Sequence, residues 1–359
     1  MIVGRGMKRA VIAGMIFLLF LAAGCERDRR RADGKTRTIR DMTGNAVTVP
    51  MPENIRRAAV IHTPVAQIAY IVGVQERLCA VTTQVKKWPL ISRFDPGMEK
   101  VSTPVSGWEV NVEALLATRP DICIGSRMQI SKIEKNTSFP LLGVGTHGPG
   151  SDFEYQKRLV RFFGDVFGRD ERAERFCRFL DRSGDEISER VASVPLNKRP
   201  RVLVASEHDR SGTYGNGSYM QEWLERAGCR NAAETLRPLG SPHMFTKVSP
   251  EQMMAWDPDV LLISSGTPED LEKEAAWAGF RAVRSKKVYR IPGGVFAWNR
   301  PTAEGSALFP LWMAATVYSE RFADLSPESH IRKFWKEILE YDLTDEDLYG
   351  ILHPEERSL

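Results

Sequence analysis

Basic and aromatic side chains that could bind a small anion lie near the ends of several predicted strands. Lysine and arginine hold oxyanions and carboxylates by charge-assisted hydrogen bonds, and tyrosine or tryptophan rings stack on conjugated molecules. In open parallel α/β folds, ligands bind beyond the carboxyl ends of the strands. These rules select the following candidate ligand-binding residues: His62, Lys86, Trp88, Trp108, Arg127, Tyr214, Trp298 and Arg300. The pattern predicts a small-molecule site rather than a catalytic centre.

The same residues leave the type of ligand open. The cations would suit a carboxylate siderophore or molybdate; they are Lys86, Lys87, Arg127 and Arg300. Haem would need an axial ligand, for which His62, His208 and Tyr214 are available. A bare transition metal is disfavoured because the six histidines are scattered without a close ligand pair. We expect no bound cofactor, and a metal chelate or an oxyanion as the ligand.

Several function classes are disfavoured by the motifs and the charge. The sequence contains no G-x-S-x-G, H-E-x-x-H or P-loop, so hydrolases and ATPases lack a nucleophile or a metal site. Gly143–Gly148 reads G-x-G-x-x-G, but a dinucleotide site needs a following strand that ends in an acid, and a helix is predicted there. The first 40 residues carry more positive charge than the net +4 of the chain, so the remainder is slightly acidic and indicates no nucleic-acid partner.

Alternating strands and helices must position these side chains. Such alternation favours parallel sheets, because a crossover helix joins parallel neighbours. The pattern predicts strands at 58–61, 78–81, 122–125, 141–144, 202–205, 260–264 and 288–291, with helices at 65–72, 112–117, 152–167, 219–227, 250–256, 268–276 and 304–318. A further helix from 170 to about 194 would be about 37 Å long at ~1.5 Å per residue. We therefore predict an α/β fold of two Rossmann-like lobes with parallel sheets, joined by one long rigid helix, with a ligand cleft between the lobes.

The pattern also predicts a division into segments. They are a signal peptide at 1–24, a lipidated cysteine and polar tether at 25–37, an N-terminal lobe at 38–168, a connecting helix at 169–195, a C-terminal lobe at 196–325 and a helical tail at 326–359. Residues 82–109 are predicted to form a long loop of the N-terminal lobe.

The N-terminus predicts export and a lipid anchor. Lys8 and Arg9 precede an apolar run that is too short to span a bilayer comfortably, as in a secretory signal. Leu21–Cys25 is similar to a lipobox, in which the cysteine thiol carries the lipid. An uncleaved anchor or a plain cleaved signal are the alternatives. The other cysteines, Cys79, Cys123, Cys177 and Cys229, form no C-x-x-C pair, and we expect buried free thiols.

One segment is repeated in the two predicted lobes. Residues 111–124 align without gaps to residues 249–262, and each copy holds a capped helix, a Pro-Asp pair and a buried strand. Each helix has a glutamate in its first turn, Glu113 and Glu251, where the helix dipole favours a carboxylate. The dipole explains either residue alone. Two equivalent acids 138 positions apart are what a two-fold symmetric partner would need.

Together these features resemble the metal-chelate class of substrate-binding proteins of ABC importers, over about residues 38–325. The resemblance rests on the lipobox, the Asp41–Pro50 entry, the two Glu-x₆-Pro-Asp segments, the long helix and Thr213–Tyr219. The second half, with Phe296–Trp298 and Trp312–Ala314, is especially close to the oxyanion branch and to uncharacterised iron-type relatives. The class includes binders of ferric siderophores, haem and cobalamin, with a molybdate and tungstate branch.

The resemblance implies a lipid-anchored, extracytoplasmic protein that is not an enzyme. It implies capture of an iron complex (siderophore, haem or corrinoid-type chelate) between the lobes, little domain closure, and delivery to a permease dimer with separate ATPase subunits. In relatives, two first-turn glutamates pair with permease arginines, which implies docking roles for Glu113 and Glu251. A molybdate or tungstate binder of the same fold, and an exported chelate-processing enzyme, remain as alternatives.

Overall fold

The computed structural model describes residues 35–145, 151–206, 210–238, 245–295 and 298–354, and holds two sheets that are largely parallel. The leader, the tether and Cys25 lie outside the described residues, as does His208. In the described part of the chain, no helix is both long enough and apolar enough to cross a membrane.

The first sheet has six strands in the order β6-β5-β4-β3-β7-β8, and only β6 runs antiparallel to its neighbour. Its central strands consist of small and β-branched residues that are fully buried, as expected for strands covered by helices on both faces. A separate hairpin, β1-β2, precedes it, and Asp41 in the hairpin turn accepts a hydrogen bond from the Gly143 amide of β8 at 2.9 Å. The strands are β1 Thr36–Arg40, β2 Ala46–Pro50, β3 Ala58–Val60, β4 Leu78–Thr82, β5 Ser102–Ser106, β6 Glu109–Val110, β7 Ile122–Ser126 and β8 Leu141–Val144.

The second sheet has four parallel strands in the order β11-β9-β13-β14. A small antiparallel pair, β10-β12, lies beside it. The strands are β9 Arg201–Ala205, β10 Gly212–Thr213, β11 Arg230–Asn231, β12 Thr246–Lys247, β13 Val260–Ile263 and β14 Val288–Arg290. In each sheet the first strand of the unit, β3 or β9, lies next to the strand that follows the repeated helix, β7 or β13. The two sheets therefore share a local topology.

Helices cover both sheets and connect them. Their bounds are α1 Thr63–Ile71, α2 Ile91–Phe94, α3 Val112–Ala117, α4 Arg127–Ile133, α5 Asp152–Phe167, α6 Asp170–Val191, α7 Tyr219–Arg226, α8 Pro250–Ala255, α9 Pro268–Lys273, α10 Ala275–Ala278, α11 Arg281–Arg284, α12 Ala303–Val317, α13 Pro327–Ile338 and α14 Asp345–Leu352.

Helices α5 and α6 form the connection between the two sheets. Gly168 ends α5 in the left-handed region, at φ 66°, so that the chain reverses directly into α6. The two helices approach closely at Gly164, where an added Cβ would lie 2.7 Å from the Cβ of Ala173. At the start of α5, Asp152 accepts a 2.8 Å hydrogen bond from the Trp223 indole of α7. The connection is thus fixed to the second unit by side-chain contacts as well as by the chain.

The C-terminal helices contact both units. The Trp335 ring of α13 lies 5.4 Å from the Phe94 ring of α2, in an edge-on arrangement. The amide of Gly293, after β14, donates to the Ile351 carbonyl of α14 at 3.0 Å. Elsewhere between the units, the Gln67 side chain of α1 accepts a 3.1 Å hydrogen bond from the backbone amide at the start of α12. The C-terminal helices α13 and α14 are thus packed against both units.

The predicted alternation of strands and helices is confirmed, with corrections at the boundaries. The predicted helix from 170 to about 194 ends at Val191. The helix predicted at 268–276 is interrupted at Glu274, whose extended backbone separates α9 from α10. The predicted loop at 82–109 is wrong in part, because it contains β5 and β6. Polar residues and Pro104 give β5 a low strand propensity in the sequence. Pairing with β4 forms the strand despite that low propensity.

The expectation of free thiols is confirmed for the four cysteines that the structure describes. Cys123, Cys177 and Cys229 are buried and Cys79 is half-buried, and none is in a disulfide. Burial raises the pKa of the Cys177 thiol to about 11.

Candidate functional site

His62 lies at the carboxyl end of β3 and begins α1. The backbone there is fixed by Gln129 of α4, whose side-chain amide donates to the Ile61 carbonyl at 2.6 Å. Gln129 is itself held by a capping box with Ser126, the last residue of β7. Burial lowers the pKa of His62 to about 4, so its imidazole is neutral at pH 7. His62 is therefore a neutral group at the carboxyl end of a central strand of the first sheet.

Trp108 lies in the turn between β5 and β6, with 51% of its surface exposed. Its ring centroid is 5.9 Å from that of His62, with the rings tilted by 33°. The ammonium group of Lys132 donates to the Trp108 carbonyl at 3.1 Å and pairs with Glu109 at 3.0 Å, which holds the turn against α4. The fold therefore brings His62 and Trp108 together, as an aromatic pair that a ligand could reach.

Arg127 and Lys86 are the predicted cations of the first unit. Arg127 is the first residue of α4, directly after β7, and its side chain is exposed. Within the residues that the structure describes, it forms no hydrogen bond or ion pair. Lys86 is half-buried, and its ammonium group donates to the Glu99 carbonyl at 2.7 Å. Arg127 can bind an anion without first breaking a contact to a described residue, whereas Lys86 cannot.

The second unit places its predicted aromatic residues in the interior. The Tyr214 and Tyr219 hydroxyls both donate to the Asn299 carbonyl, at 2.9 and 2.5 Å. The Asn299 side chain donates to the Ser206 hydroxyl, after β9, at 3.4 Å. Burial raises the pKa of Tyr219 well above its ordinary value, so this phenol stays protonated. The network fixes the segment that carries Trp298 and Arg300.

Arg300 is half-buried, and its guanidinium carbon lies 6.0 Å from the centroid of the Phe245 ring. Sequence reasoning missed a second arginine in this unit. Arg210 lies in the loop after β9, pairs with Glu274 and donates to the Ser265 carbonyl at 3.5 Å. The signal that could have identified Arg210 is its basic side chain in a loop that already contained a candidate residue.

Three of the predicted ligand contacts are buried in the structure. Trp88, Tyr214 and Trp298 have at most 5% of their surface exposed. Trp88 packs with its ring 6.4 Å from that of Tyr70, and Trp298 is fully enclosed. Their large apolar surfaces are more stable in the core than at a wet cleft. Of the eight predicted residues, the structure leaves His62, Trp108, Arg127, Arg300 and Lys86 with accessible surface.

The two repeated glutamates are exposed. Glu113 lies in the first turn of α3 and Glu251 in the first turn of α8, and both helices are capped by the preceding polar residue. A hydrogen bond involving Ser249 lowers the pKa of Glu251 below its ordinary value. Both side chains can therefore be reached by a partner.

Among the described residues, no group of three or more His, Cys, Asp or Glu side chains is arranged to hold a metal ion. The five predicted residues that keep accessible surface are cationic or neutral, and these side chains favour an anionic ligand.

Known proteins of this architecture supply an independent comparison. The chain is 26% identical over 327 residues to the molybdate-binding protein MolA of Haemophilus influenzae, a match that covers 84% of this chain and 90% of MolA. It is 19% identical over 316 residues to the putative ABC transporter substrate-binding lipoprotein YhfQ of Bacillus subtilis, covering 84% of this chain and 95% of YhfQ.

Solved structures agree with the fold. The structure of MolA bound to molybdate superimposes with a TM-score of 0.75 at 23% identity, covering 86% of this chain and 99% of MolA. A periplasmic solute-binding protein from Veillonella parvula gives a TM-score of 0.77 at 24% identity, covering 88% of this chain and 97% of that one. Both support the two-unit α/β architecture predicted from the sequence.

A family model described as periplasmic binding protein matches residues 59–294, from β3 to the residues after β14. The matched region contains both sheets, the connecting helices and both repeated segments. The resemblance inferred from the sequence motifs is thereby confirmed, and the chain belongs to the periplasmic binding protein family.

Proposed function

We propose that the protein is the extracytoplasmic solute-binding component of an ABC importer and that it captures a small anion between its two units. The observation that carries the proposal is that each unit has an arginine with accessible surface after a strand of its sheet: Arg127 directly follows β7, and Arg300 lies in the segment ten residues after β14. Family membership supports the binding role. A ligand held by both arginines would bridge the two units.

A tetrahedral oxyanion of the molybdate type is the ligand that the accessible side chains fit best. Burial of Trp88, Tyr214 and Trp298 removes most of the aromatic surface that a large conjugated ligand would stack on. Guanidinium groups and a neutral imidazole match an oxyanion in charge and hydrogen bonding. The relative MolA is named for molybdate binding, which supports this choice.

An iron complex is the second candidate, because Trp108 is exposed beside His62 and offers a face for a siderophore, haem or corrinoid-type chelate. The two candidates predict different effects of one substitution. Loss of the Trp108 ring should weaken a chelate strongly and an oxyanion little.

Calorimetric titration of the purified protein tests the proposal. Molybdate and tungstate should bind, whereas ferric citrate and haem should not. Arg127→Gln or Arg300→Gln should weaken oxyanion binding about tenfold or more, the effect of losing a charge-assisted hydrogen bond. Lys198→Gln, which removes an exposed cation outside the site, is the matched control. Binding of ferric citrate or haem without oxyanion binding would establish the second candidate. Conversion of a bound chelate into a product would establish an enzyme instead.

The proposal extends to the membrane partners. Cys25 carries the lipid that holds the protein at the membrane surface, and Glu113 and Glu251 dock on the permease dimer, whose ATPase subunits are separate. Glu113→Arg combined with Glu251→Arg should leave ligand affinity intact and abolish uptake by cells. Persistent uptake would refute the docking role, while lost ligand affinity would show that the variant is damaged elsewhere.

A further inference from the structure

The repeated segments have the same three-dimensional form as well as the same sequence pattern. The Asn111 side chain accepts from the Ala114 amide at 3.0 Å, and the Ser249 hydroxyl accepts from the Gln252 amide at 3.3 Å. Each cap is followed by a six-residue helix, α3 or α8. The two helices therefore begin in the same way.

The two helices also end in the same way. Arg119 and Asp257 both adopt a left-handed backbone, at φ 47° and 44°, which is uncommon for residues other than glycine. Two residues later, Asp121 accepts from the Arg57 amide and Asp259 from the Arg201 amide, each at 2.8 Å. These bonds tie each turn to the start of its sheet, so α3 and α8 are attached to their sheets in the same way.

An exposed apolar side chain occupies the same position in both copies. Leu116 is 40% exposed and Met254 is 37% exposed, and they are 138 positions apart, like the two glutamates. The residue before each, Leu115 or Met253, is fully buried and anchors its helix. Each helix therefore has a buried apolar anchor next to the partly exposed Leu116 or Met254.

Each apolar side chain lies on the same helix face as the repeated glutamate. Leu116 follows Glu113 by three residues and Met254 follows Glu251 by three, and residues three apart are neighbours on a helix surface. Each unit thus presents a carboxylate with an apolar group one turn away. We call these two surfaces the paired helix faces.

We propose that Leu116 and Met254 are contact residues for the importer. Each enters an apolar hollow on one of two symmetry-related permease subunits, beside the basic side chain that pairs with the neighbouring glutamate. This inference rests on the proposed function. The matched pair fits a two-fold partner, because such a partner offers the same hollow twice. A specific protein interface usually has an apolar centre and a polar rim.

Binding of the purified protein to the importer in lipid nanodiscs tests the inference. Leu116→Ser and Met254→Ser should each weaken binding about tenfold, as expected for exposing one aliphatic side chain, and the double variant should weaken it about a hundredfold. Leu196→Ser, at an exposed leucine outside the paired helix faces, should bind like the unaltered protein. Thermal unfolding and calorimetric ligand affinity should be unchanged in all four proteins.

The outcomes separate this inference from the proposed function. If Glu113→Arg with Glu251→Arg abolishes binding to the importer but the two serine variants bind normally, the apolar contact is refuted and the docking surface stands. If the glutamate variant also binds normally, or the unaltered protein does not bind, the apolar contact and the docking surface are both refuted. Self-association of the unaltered protein that the serine variants lose would identify a second copy as the occupant and overturn the inference.

Discussion

Two carboxylates bind one arginine where the C-terminal helix meets the first unit, and they should contribute unequally to stability. Arg93 of α2 pairs with Asp347 at 2.7 Å and with Glu346 at 2.8 Å. The Asp347 side chain is 2% exposed, whereas the Glu346 side chain is 77% exposed. We expect Asp347→Ala to be strongly destabilising and Glu346→Ala to be nearly neutral.

The magnitude follows from the contacts that each substitution removes. Asp347→Ala removes a buried charge-assisted hydrogen bond, about 1.5–3 kcal/mol. It also removes half of the capping box with Thr344, which begins α14, about 1 kcal/mol. Arg93 is about half exposed and keeps its ion pair with Glu346. Solvent screening therefore reduces the expected loss of unfolding free energy to about 2–3 kcal/mol. Glu346→Ala removes one exposed ion pair, about 0–1 kcal/mol.

Urea unfolding followed by circular dichroism measures both values, and a common denaturant dependence would show that the same transition is compared. Equal losses in the two variants, or less than about 1 kcal/mol for Asp347→Ala, would refute the reasoning. The pH dependence gives a second check. Burial alone would raise the pKa of Asp347, but hydrogen bonds from Thr344 and the charge of Arg93 outweigh burial and lower it. Its stabilisation is therefore present above the unfolded pKa, about 4, and is lost as the pH falls through the folded pKa.

Two further predictions concern α6 and the helices that pack against it, α5 and α13. Gly164→Ala should destabilise the protein by about 1–2 kcal/mol, because the new Cβ would lie 2.7 Å from Ala173, and Ala173→Gly in the same chain should restore the melting temperature. Burial lowers the pKa of His330 to about 4. Its contribution to the free energy of unfolding is therefore complete above the unfolded pKa of 6.5 and falls as the pH drops towards 4. His330→Gln should remove up to about 3 kcal/mol of that pH dependence in the unfolding free energy, and an unchanged pH profile would contradict the assignment.

The repeat shows how far sequence alone can reach. An acid, a Pro-Asp pair and an apolar strand recur at a fixed offset, and the local rules for caps and buried strands predicted both helices and both strands correctly. The role of the repeated aspartates, Asp121 and Asp259, was hidden, because their hydrogen bonds reach residues 58 or more positions away.

The aromatic residues show where local reasoning fails. The sequence around a tryptophan beside a loop does not show whether the ring faces a cleft or the core. Only tertiary packing distinguishes Trp108, which is half exposed, from Trp88 and Trp298, which are buried. Strand β5 was missed for a related reason, since its polar residues and proline gain strand structure only from pairing with β4.

The sequence by itself determined the alternation of elements, the two-unit α/β class, the cations after the strands and the repeated glutamates, because all of these follow from short-range pattern and spacing. Tertiary structure decided which candidate side chains keep accessible surface, brought His62 within ring contact of Trp108, and placed Leu116 and Met254 on matched exposed faces. Burial depends on contacts between residues far apart in the chain, and no local pattern contains that information.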